Sequence, residues 1–107
     1  MGERADPAIV RLDGEQVVAT RHNVQLAFQR ARANPRVIVD LTRLRHDASV
    51  ADTVIAELLR AKSRPAGKLV IVARNQRWIQ SLSIAGLTRG TPIVATLDDA
   101  QNAMRAQ

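Results

Sequence analysis

The chain is expected to fold as an α/β domain in which four short strands alternate with four helices around a mainly parallel sheet. Three observations point there. Runs of apolar residues, most of them rich in β-branched side chains, recur at Ala8–Leu12, Arg36–Leu41, Lys68–Ala73 and Thr91–Thr96. The stretches between and after them carry apolar residues at helical spacing or the start and stop residues of helices. Alternation of strand and helix places each helix as a crossover, and crossovers join parallel neighbours.

The elements follow in order. Residues 1–7, "MGERADP", read as a loose tail, and residues 8–107 as one domain. "AIVRL" is a short strand closed by Asp13-Gly14, a turn dipeptide. From His22 to Asn34 the pattern is helical, with Val24, Ala27, Phe28 and Ala31 on one stripe. Pro35 ends it, because proline disfavours the helical conformation in the residue before it. "RVIVDL" is almost continuously apolar, as expected of a strand covered on both faces. A second helix is expected from Ser49 to Ser63, burying Ala51, Val54, Ile55 and Leu58 and stopped by Pro65. "KLVIVA" is another buried strand. Asn75–Gly86 is a third helix with a glycine stop. "TPIVAT" is the last strand, with Pro92 tolerable only at its start or at an edge. Leu97–Ala106 closes the chain as a helix, Asp98 and Asp99 lying in the first turn where the helix dipole favours acids.

A chain of 107 residues is one domain by size and buries enough surface to fold without staples. It has no cysteine, so disulfides and thiolate metal sites are excluded. No apolar run reaches the roughly 20 residues of a membrane span. The start has acid and proline where a signal peptide would need an apolar stretch, so a cytoplasmic protein is expected. The net charge of +6 comes from 14 arginines and 2 lysines scattered along the chain. Phe28 and Trp78 are the only aromatics, too few for a base-stacking platform, and no direct contact with nucleic acid is expected.

Motifs that carry chemistry are few. The five glycines form neither a dinucleotide fingerprint nor a phosphate loop, and there is no G-x-S-x-G elbow. His22 and His46 lack the companions of a metal or acid–base site, so no catalytic residue, metal or cofactor is expected. Trp78 is expected on the sheet or partly exposed, where it would suit a partner anchor. Ser49 stands where a strand has turned over and a helix begins. Ser49-Val-Ala-Asp52 fits a capping box, in which the hydroxyl accepts from a first-turn N–H.

Four segments carry a resemblance to the STAS domain, the fold of bacterial anti-sigma factor antagonists. "RLDGE" at Arg11–Glu15 resembles the L-x-G-E turn of that family, and "VIVDLT" at Val37–Thr42 its central strand. Gly67–Leu87 resembles the strand and helix ending in S-G-L, and Thr91–Met104 the closing strand and helix. The resemblance covers about residues 8–104 and implies a mixed, mostly parallel sheet of about four or five strands with about four helices packed on it. It also implies a regulatory protein-binding module. In this family a serine in a D-S-S-G loop is phosphorylated by a partner anti-sigma factor that is also a kinase. The unmodified antagonist binds that partner, and the phosphorylated one releases it. Gap-free counting from Asp40-Leu41-Thr42 puts Ser49 at the acceptor position, with Asp13, Glu15, Asp47, Ala48 and Val50 on the partner-binding surface. Here Ala48, Val50 and Ala51 replace the Asp, the second Ser and the Gly of the family pattern. An alternative alignment sets Asp47 at the family aspartate and Ala48 at the acceptor. A phosphorylation-independent STAS scaffold is the second reading, and a homodimer through an open sheet edge is compatible with either.

Overall fold

A computed structural model of the chain describes residues 6–13, 20–65 and 67–106. The elements are β1 (Ala8–Arg11), α1 (Arg21–Arg30), β2 (Arg36–Asp40), α2 (Ala48–Lys62), β3 (Lys68–Val72), α3 (Gln76–Ile84), β4 (Ile93–Val94) and α4 (Leu97–Arg105). The sheet order is β1-β2-β3-β4, and all three pairings are parallel. The registers are Ala8 opposite Val37, Val37 opposite Leu69, and Ile71 opposite Ile93. The alternating α/β architecture and the central places of β2 and β3 are as the sequence predicts.

Side chains alternate across the sheet, which divides the core in two. On one face Val37, Val39 and Leu41 meet Leu69 and Ile71, and the helices α1, α2 and α3 cover them through Phe28, Val54, Leu58, Trp78 and Leu82. On the other face Ile38, Val70 and Val72 are covered by Ala100 and Met104 of α4. β2 and β3 are thus buried from both sides, which explains their unbroken apolar composition.

Helix ends follow capping chemistry. Thr20, Asn75 and Thr96 each accept a first-turn N–H into the side chain. α3 stops in a Schellman motif: Gly86 adopts φ 80, its N–H donates to Ser83 O, and Leu87 N–H donates to Leu82 O at 2.9 Å. Leu87 then enters the core. The Lys62 ammonium donates to the carbonyls of Gly86 and Arg89, tying α2 to this turn.

Several expectations are corrected. α1 ends at Arg30, with Ala31–Ala33 in a turn rather than in the helix. β4 keeps two residues because Pro92 has no N–H to give and Thr96 is taken up as the cap of α4. Trp78 is fully buried in the core, so the reading that packs it on the sheet holds and the alternative of an exposed anchor for a partner falls. Its indole Nε1–H donates to Leu44 O at 2.8 Å, which satisfies the one polar atom that burial would otherwise strand.

Candidate functional site

In a parallel α/β sheet the carboxyl ends of the strands and the helix starts that follow them share one edge of the molecule, where sites gather. Here that edge brings together Asp13 after β1, Asp40 at the end of β2, the β2–α2 loop and the first turn of α2. The loop is built from its own polar groups. Asp40 Oδ1 accepts from Thr42 N at 2.9 Å and from Thr42 Oγ1 at 2.6 Å, fixing the turn that leaves the strand. Arg43 pairs with Asp13 at 3.5 Å, tying the loop to the end of β1. Leu44 turns inward and supplies the carbonyl that holds Trp78. His46 lies with its ring edge-on to Trp78, centroids 4.7 Å apart, and its Nε2 is hydrogen-bonded to Ser81 Oγ at 2.8 Å.

The cap of α2 is Asp47, and the capping box expected from Ser49 is absent. Asp47 is extended (φ -125, ψ 132), and its Oδ1 accepts from Ser49 N at 2.8 Å and from Ser49 Oγ at 2.9 Å. Ser49 is therefore the second helical residue, and its hydroxyl donates rather than caps. Asp52 lies too far along the helix to reach back to the cap. The physical reason is reach: from one residue earlier than Ala48, a carboxylate meets both donors of Ser49 at once. These two hydrogen bonds hold the Asp47 carboxyl below the usual aspartate range; desolvation opposes them, and Arg45 and His46 add attraction.

Ser49 is exposed at this edge, as are Asp47 and Ala48. Val50 turns into the core at 1% exposure and presents no side chain to a partner. Asp13 is half-buried, and Glu15 lies outside the described residues. The basic residue that meets Ser49 is Arg21, at the start of α1, whose Nε donates to Ser49 O at 3.2 Å. Nothing in a linear reading pairs these two positions, which lie 28 residues apart. Among the described residues no cluster of three or more His, Asp or Glu side chains is arranged to hold a metal ion. No helix of the described residues is long and apolar enough to cross a membrane.

An open parallel α/β sheet with helices on both faces, and an exposed serine beside the Asp47 cap at its carboxyl edge, define the domain, and comparison gives it a family. A family model described as STAS domain matches residues 2–100, and the chain belongs to that family. Among solved structures it is similar to the NMR structure of the protein TM1081, with a TM-score of 0.62 at 17% sequence identity. That match covers 92% of this chain and 82% of the other, and it supports the fold. No curated protein matches the chain.

Proposed function

We propose that this STAS domain is an anti-sigma factor antagonist. The surface around Asp47, Ala48 and Ser49 docks an anti-sigma factor with kinase activity, and phosphorylation of Ser49 by that partner ends the contact. The observation that carries this reading is the placement of Ser49: exposed, in the first turn of α2, at the carboxyl edge of the sheet. The partner supplies nucleotide and Mg²⁺, so the chain needs no cofactor of its own.

A phosphate here adds about −1.5 to −2 charge. The helix start and the neighbouring Arg21 favour it, while Asp47, whose Oδ1 already holds Ser49 Oγ, opposes it. With these effects offsetting locally, the consequence falls on the docked surface, where the dianion is desolvated and unpaired. A loss of about 2.8 kcal/mol there weakens binding about a hundredfold.

One observation favours a phosphorylation-independent scaffold instead. The Ser49 hydroxyl donates to the Asp47 carboxylate, so a phosphate formed on that oxygen would lie against a like charge at hydrogen-bond distance. The two readings separate with Ser49→Ala, Ser49→Asp and wild type, each incubated with a purified anti-sigma kinase, ATP and Mg²⁺. The antagonist reading expects phosphate on Ser49 of the wild type and none on Ser49→Ala, which still binds. It expects Ser49→Asp to bind about tenfold more weakly, or about 1.4 kcal/mol, while melting like wild type. Equal affinities and no phosphate on Ser49 leave a scaffold. In the described sheet β1 and β4 are the edges, and β1 offers itself for pairing with a second copy.

A further inference from the structure

The end of the molecule away from Ser49 holds a groove between the close of α1 and the second half of α2, about 480 Å³ in volume. This is within the range of roughly 300–1,000 Å³ that small-molecule sites occupy. Its floor is apolar, formed by Phe28, Ala31, Val37 and Ala61. Its lip is cationic, carrying Arg32, Arg60 and Arg64.

Glu57 also lines the groove, and its side chain is only 6% exposed. Its partners are Arg60 at 3.4 Å and Arg32 at 3.9 Å. Both distances exceed the roughly 2.7–2.9 Å of a tight charge-assisted bond. Glu57 thus steadies two arginines at the lip without using up their N–H groups, each guanidinium having about five. The Arg64 guanidinium donates to the carbonyls of Arg32 and Asn34, holding the turn after α1 in place. Three guanidiniums against one carboxylate leave the mouth positive.

We propose that this groove binds an amphiphile with a single carboxylate head and an unbranched apolar tail, a medium-chain fatty acid. The tail lies on the apolar floor, and the head meets Arg60 and Arg32 at the lip. A cation is repelled at the mouth. A polar heterocycle finds no donors on the floor. A second copy of the chain is a poor occupant: Ile84, the most exposed large apolar side chain among the described residues at 81%, has no acidic residue within four positions to answer the arginines. The site is remote from Ser49, and the inference is independent of the antagonist reading.

The test is a titration of the isotope-labelled full chain with dodecanoate below its micellar concentration, followed by amide chemical shifts. Dodecan-1-ol and dodecyltrimethylammonium are the uncharged and cationic comparisons. Dodecanoate should give saturable shifts centred on Phe28, Ala31 and Ala61, with the alcohol about tenfold weaker for loss of one charge-assisted contact. The cation should give none. Arg60→Gln, whose parent side chain is 69% exposed, should weaken dodecanoate about tenfold and leave the alcohol unchanged. Ala33→Trp, at the exposed lip, should obstruct both probes without disturbing the melt. Any of four results overturns the proposal: unsaturable or dispersed shifts, equal affinity for carboxylate and alcohol, an unchanged Arg60→Gln, or concentration-dependent shifts of the same amides without any probe, which would assign the groove to self-association.

Discussion

Replacing Trp78 by Phe tests the junction between the core and the β2–α2 loop. The indole is fully buried, and its N–H is the donor that satisfies the carbonyl of Leu44, itself buried. Phenylalanine keeps a ring beside His46 and removes the donor. The orphaned carbonyl costs about 1–3 kcal/mol. The smaller ring leaves a space of roughly 40 Å³, worth about 1 kcal/mol at roughly 24 cal/mol per Å³. Together the loss should be about 2–4 kcal/mol. Urea unfolding followed by far-ultraviolet circular dichroism measures it, because the variant loses the chain's only tryptophan as a fluorescent probe. Ile84→Ala, at a site 81% exposed, is the control and should stay within about 0.5 kcal/mol. A Trp78→Phe loss below about 0.5 kcal/mol with an unchanged slope would refute the burial and the bond together.

Other expectations are as concrete. Leu58→Ala should cost about 2–5 kcal/mol in the same unfolding assay, since Leu58 is fully enclosed between α2 and the sheet. Gly86→Ala should cost about 1–2 kcal/mol from backbone strain alone, because φ is 80 and nothing crowds the added carbon. The Asp47 carboxyl is held low in the folded chain, so its stabilising effect is complete above the ordinary aspartate value of 3.8 and is lost as pH falls from there through the lowered one. The gap in melting temperature between wild type and the non-titrating Asp47→Asn should narrow over that acid limb; a gap constant with pH would contradict the cap. A gel shift at physiological salt should show no DNA binding tighter than about 10 μM, and sequence-dependent nanomolar binding would contradict the antagonist reading.

The fold was legible because its signals are local. Val37–Val39 and Leu69–Val72 announce strands buried on both sides, and Asn75, Gly86 and Pro65 mark helix limits within one turn. Where two good caps stand close together, as Asp47 and Ser49 do, composition cannot choose between them. The choice depends on which oxygen reaches the free N–H groups once the loop is anchored by Leu44 and Trp78. The same limit hid the Arg21–Ser49 contact, the His46–Ser81 pair and the groove around Glu57. Each is made by residues brought together from separate elements, and none leaves a periodic trace.

The monotonic strand order has a consequence for a chain emerging from the ribosome. Every strand's neighbour is the one made just before it, so β2 can dock on β1, and β3 on β2, as each appears. The face carrying Ile38, Val70 and Val72 has a different history: its cover, Ala100 and Met104, is synthesised only after all four described strands. Until α4 is released, the nascent domain presents a sticky aliphatic strip to its surroundings. A stall or nonsense codon near Thr96 would make that state permanent, yielding a species with most of its sheet assembled and a ready surface for chaperone capture or aggregation.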